Sequence, residues 1–183
     1  MAQYGVPDST VTGPAFWITT PLWQQVNNGI NGGTPNDSTH IEDSNFGSPS
    51  TCELGLENLT DPNSSSNHIL RVRLKNTNFS SESMTFALYE GTTQIASKNQ
   101  SLGSAESVFS TYSLTLSAAE ADNISDYTDL RVRLTPSTAF SYVQTSEVEF
   151  EIPDAGGDGG ADPYTTKLGN AGFTFRGSTR IGG

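Results

Sequence analysis

Three separated segments of the chain alternate aliphatic and charged residues with a period of two. "LRVRL" occurs at 70–74 and again at 130–134, and "EVEFEI" occupies 147–152. That period belongs to a β-strand, in which successive side chains point to opposite faces; a helix would scatter the aliphatic positions around its circumference. Leu70, Val72 and Leu74, then Leu130, Val132 and Leu134, then Val148, Phe150 and Ile152 are therefore expected to enter a core. Arg71, Arg73, Arg131 and Arg133 form two outward arginine ladders, and Glu147, Glu149 and Glu151 form one glutamate ladder. Opposite charges on neighbouring strands are worth ~0.2–1 kcal/mol per pair and help set register, so at least one arginine pair is expected beside the glutamates.

Further alternating segments are "AFWIT", "LWQQVN", "CELGLE", "MTFALYEG", "TQIASK" and "VFSTYSLTL", separated by stretches rich in Gly, Pro, Asn and Ser such as "NNGINGGTPNDS" and "DPNSSSN". Nine or ten short strands with turn-rich connections in 183 residues predict one all-β domain, an antiparallel sandwich. "SAAEADN" predicts one helical turn, because Ser117 and Glu120 have the spacing of a capping box. Gly91 predicts a hairpin turn that places Tyr89 and Ile95 on neighbouring strands.

Composition narrows the chemistry. A net charge of −11 opposes nucleic acid as a partner, since phosphate binding needs concentrated Lys and Arg. A single cysteine, Cys52, leaves no internal disulfide, and His40 and His68 are too few for a Cys/His zinc site. The N-terminal "MAQYGVPDST" lacks the basic and apolar regions of a signal peptide, and no stretch is long enough to span a membrane, so a soluble chain made in the cytoplasm is expected. Six N-x-S/T matches then read as Asn- and Ser-rich turns. No nucleophile with its base, phosphate loop or metal cluster stands out, and Cys52 and Glu53 must face opposite ways in a strand. The expectation is a chain that is not an enzyme, with no catalytic or metal-binding residues and no cofactor.

The segments "PLWQQVN", "THIEDS", "CELGL", "HILRVRL", "LYEGTTQIAS" and "YTDLRVRL" follow one another in an order that resembles jelly-roll virion proteins of tailed bacteriophages, over residues 5–155. The resemblance implies a jelly-roll sandwich in residues 1–154 and a place in the virion after synthesis in the host cytoplasm. Similar domains decorate capsids in some phages and form tail or fibre parts in others. A capsid decoration, or cement, protein that binds and stabilises the shell is the leading expectation. Its partners would be the major capsid protein or other virion proteins, and its own state a homo-oligomer such as a trimer. A tail or fibre component is one alternative. A carbohydrate-binding sandwich is another, using Trp17, Trp23, Tyr112, Tyr127 or Tyr142, with Asp8, Asp37 or Asp61 available to calcium.

Residues 155–183 read differently. A Gly-rich linker leads to Tyr164, Phe173, Phe175, Arg176 and Arg180, and this segment has three basic and two acidic residues against six and eighteen before it. An extended C-terminal arm that docks outside its own sandwich is expected, with Phe173 and Phe175 on one face of a strand.

Overall fold

The computed structural model describes residues 1–13, 17–43, 49–137 and 142–155. Within them the chain is an all-β sandwich of two antiparallel sheets. Its strands are β1 (Ala2–Gly5), β2 (Pro7–Thr12), β3 (Trp17–Ile18), β4 (Ile41–Asp43), β5 (Cys52–Leu56), β6 (Ile69–Asn76), β7 (Glu82–Glu90), β8 (Thr93–Leu102), β9 (Ser110–Thr115), β10 (Leu130–Pro136) and β11 (Val143–Pro153). The first sheet runs β3-β4-β11-β6-β9 with β1 added alongside β11, and the second runs β2-β5-β10-β7-β8. Without the three N-terminal strands, 4-11-6-9 faces 5-10-7-8, which is the strand order of a jelly roll.

The alternating segments occupy the centres of the sheets. Leu70, Val72, Leu74, Leu130, Val132, Leu134, Val148, Phe150 and Ile152 are all 2% exposed or less. Burying such a side chain contributes about 1.5–3 kcal/mol, so these positions dominate the core. The β7–β8 hairpin turns at Gly91, whose φ of +55° is costly for any other residue. A register shift after Leu88 pairs Tyr89 with Gln94. The helix α1 (Ala118–Ala121) carries the capping box, Ser117 accepting from the Glu120 amide while Glu120 accepts from Ser117.

Two readings of the sequence are corrected. "LWQQVN" contains a 3-10 turn at Trp23–Gln25 in place of a strand, although Leu22 and Val26 still reach the core. The N-terminal strands β1 and β2 had no signal, because β2 is an edge strand of sequence "PDSTVT" exposed along most of its length. The linker and arm, with Tyr164, Phe173, Phe175, Arg176 and Arg180, lie outside the described residues, which end at Ala155. Among the described residues no helix is long and apolar enough to cross a membrane.

Candidate functional site

Each sheet has an outer face, and the two faces differ in whether a described loop covers them. On the first sheet, Glu147 and Glu149 point away from the core yet are fully buried, which corrects their expected exposure. The cover is the Gly- and Asn-rich loop after Val26. Glu149 accepts from the amides of Ile30 (2.7 Å), Asn31 (2.9 Å) and Gly32 (2.8 Å), and Glu147 from those of Asn28 (2.9 Å) and Asn36 (2.7 Å). Glycine is needed where the loop lies close to the sheet: Gly29 has φ +79°, and a Cβ there would lie 3.1 Å from Glu149 Oε2. A Cβ at Gly32 would meet the Tyr4 ring at 2.6 Å.

The charge ladders meet on this face only in part. Arg71 lies 3.7 Å from Glu149 and forms a close ion pair with Glu151. Arg73 sits opposite Glu147 in register but turns to Asp37, whose carboxyl it holds below the usual range. Glu147 therefore has amide partners in place of a cation, and burial pushes its pKa up against them. The other ladder, Arg131 and Arg133, belongs to the second sheet and pairs with Glu53, not with β11.

Among the described residues no loop covers the outer face of the second sheet, and all five of its strands contribute to a depression of about 330 Å3. Thr12 comes from β2, Glu53 from β5, Arg133 and Thr135 from β10, Thr85, Ala87 and Tyr89 from β7, and Gln94 from β8. The side chains fix one another. Glu53 accepts from Arg133 Nε (2.6 Å) and Arg131 Nη1 (3.1 Å), and Arg131 also donates to Asp129 (2.9 Å). The Arg133 guanidinium stacks 3.8 Å from the centre of the Tyr89 ring, and the Tyr89 hydroxyl donates to Gln94 Oε1 (3.0 Å). Asp129 and Glu53 hold the Arg131 guanidinium firmly protonated. The result is a shallow floor of threonines, one aromatic ring and a planar carboxylate–guanidinium pair, held in place before any ligand arrives.

Most residues singled out in the sequence for sugar or metal binding lie elsewhere. Trp17 is buried and donates from Nε1 to Ser50 O (3.2 Å), Trp23 and Tyr112 pack against the core, and Tyr127 is buried with its hydroxyl on His68 Nε2 (2.8 Å). Tyr142 is exposed beside Thr77, whose amide donates to its carbonyl. Asp8, Asp37 and Asp61 sit on separate elements, and among the described residues no three of His, Cys, Asp and Glu come together as a metal cluster. Tyr89, Gln94 and Glu53 were missed as a group. The outward parity of Tyr89 and Glu53 was present in "TFALYE" and "CELGL", but the adjacency of all three depends on the strand order of the second sheet.

No family model matches the chain, and no curated protein matches it. Solved structures similar to it include the Stig cyclase Fisc from Fischerella sp. TAU, at 18% identity over 81% of this chain and 89% of that one, with a TM-score of 0.46. A glycoside hydrolase domain of Endo-D from Streptococcus pneumoniae R6 aligns at 9% identity over 81% of this chain and 21% of that one, TM-score 0.38. A family 16 carbohydrate-binding module aligns at 11% identity over 74% and 84%, TM-score 0.31. None of these three is a virion protein. The first two are enzymes, and the expectation that this chain is not an enzyme is withdrawn on that finding.

Proposed function

We propose that this chain is a ligand-binding β-sandwich module that takes carbohydrate on the outer face of its second sheet. The depression built from Glu53, Arg133, Tyr89 and Gln94 carries the reading. A sugar ring presents hydroxyls around its rim and an apolar C–H face. Bidentate carboxylate, guanidinium and amide groups suit the rim, and the Tyr89 ring, Ala87 and threonine methyls suit the face. Because these groups already hold one another, little rotamer entropy is lost on binding. A glycan array probed with the full chain, followed by titration calorimetry on the best glycan, tests the reading. Tyr89→Ala and Gln94→Ala are each expected to weaken binding about tenfold or more, as loss of an anchor contact does. Absence of any binding glycan, or binding untouched by both substitutions, overturns it.

The ordered motif series of residues 21–134 favours a second reading, compatible with the first: the chain is a component of a tailed-phage particle, decorating and cementing the capsid shell or forming part of a tail or fibre. Its partners are then the capsid protein or other virion proteins, together with further copies of itself. Electron microscopy of particles with and without the protein tests this. Density on the shell supports decoration, density confined to the tail supports the fibre alternative, and no difference at either place overturns both.

A further inference from the structure

A second depression, of about 260 Å3, adjoins the first on the same outer face. Asp8, Ser9, Asn58, Thr128, Asp129 and Arg131 line it. Its floor exists because residue 55 is glycine: a Cβ there would lie 2.3 Å from Ser9 Oγ, in the space the β2 side chain now occupies. Along the paired strands, Arg133 stands opposite Glu53 and Arg131 opposite Gly55. Two residues of antiparallel strand span about 6.8 Å, so the depressions are immediate neighbours along the strand direction. The chain Arg131–Glu53–Arg133 runs between them as a shared wall, with contacts of 3.1 and 2.6 Å.

The charge of this surface constrains what fills it. Both arginines are already paired, Arg133 with Glu53 and Arg131 with Glu53 and Asp129. Among the described residues an anionic ligand therefore meets no unpaired arginine here, while Asp8 and Asp129 border the second depression and oppose it. Exposed hydroxyl, amide and carboxylate groups instead offer hydrogen bonds to a neutral polyol.

Building on the carbohydrate reading, we propose that these depressions are two adjacent subsites and that the ligand is a neutral oligosaccharide long enough to occupy both. Joining two occupied subsites in one ligand makes the second contact intramolecular, so affinity rises with chain length until both are filled.

Titration calorimetry of the full chain with neutral gluco-, manno- and xylo-oligosaccharides of one to six units, beside oligogalacturonates, tests the proposal. Affinity is expected to rise about tenfold or more from the shortest ligand to the one that bridges both sites. The double variant Asp8→Ala, Asn58→Ala, which alters two exposed side chains, is expected to lose that gain and keep the affinity for the shortest ligand. Its thermal melt reports whether the fold is intact. Affinity independent of length, preference for the uronic oligomers, or a length gain that survives the double variant overturns the two-subsite assignment while leaving carbohydrate binding standing. No binding by any of the sugars overturns both.

Discussion

Arg71 and Glu149 stand directly opposite each other on β6 and β11, with 3.7 Å between Nη1 and Oε1, yet Glu149 spends most of its lone pairs on a loop. Three successive amides, those of Ile30, Asn31 and Gly32, converge on its carboxylate. The carboxylate thus links a central strand, an arginine and the cover of the first sheet.

Glu149→Ala is expected to destabilise the fold by about 3–5 kcal/mol, the usual cost of removing one partner from a buried charge pair. It strips three amides of their acceptor at once. Glu149→Gln, which keeps one acceptor oxygen, is expected to cost less. Denaturant unfolding gives the two values, and hydrogen exchange at residues 28–36 should quicken in both. An alanine variant as stable as the parent would show that the loop docks without this anchor.

The pair His68 and Tyr127 predicts a pH dependence. His68 is fully buried, its Nδ1 on Ser66 O (3.0 Å) and its Nε2 accepting from the Tyr127 hydroxyl (2.8 Å). Burial lowers its pKa from 6.5, with the Ser66 hydrogen bond, Asp61 and Asp122 opposing. The unfolded chain therefore binds the proton more readily. The histidine's contribution is complete above pH 6.5 and is lost as pH falls from there through the lowered folded value. His40 shifts the same way for the same reason, so His68→Gln should remove only part of the acid-side slope of Tm against pH. Tyr127→Phe should cost about 1–3 kcal/mol near neutral pH by leaving Nε2 unpartnered.

Glu53 serves two arginines, so its loss should be felt twice. With the arginine side chains 27% and 29% exposed, Glu53→Ala is expected to cost about 1–2 kcal/mol, less than a fully buried pair would. A double-mutant cycle of Glu53→Ala with Arg133→Ala should return a coupling of about 1 kcal/mol. Purely additive single effects would mean that solvent screens the contact.

Cys52 is fully buried on the core side of β5, and burial raises its thiol pKa to about 12. The folded protein should resist iodoacetamide at pH 8 and react fully in denaturant, as mass spectrometry would record. Rapid modification of the native state would contradict the packing of that strand.

The inward set of β6, β10 and β11 was legible because two-residue alternation at Leu70–Leu74, Leu130–Leu134 and Val148–Ile152 has only one structural meaning. The helix cap at Ser117 and the turn at Gly91 were legible for the same kind of local reason. What could not be read was anything decided by strand order. Glu147 and Glu149 have the sequence pattern of exposed residues, and their burial depends on a loop that starts more than 110 positions earlier. The partner of Arg133 is Glu53, 80 residues away, and nothing local distinguishes it from Glu149. Tyr89 lies inside a hairpin that was found, but its place in a binding face required knowing that β10 lies beside β7.

The Met1 ammonium lies 3.1 Å from the Asp154 carboxylate, and Ala2 pairs with Pro153 along β1 and β11. Entry to and exit from the sandwich thus share one corner, on the sheet opposite the one that holds the depressions. With residues 156–183 removed, a few residues bridging 155 to 1 would close the backbone into a ring, and a circular permutant reopened in the largely exposed 61–67 loop should keep both sheets intact.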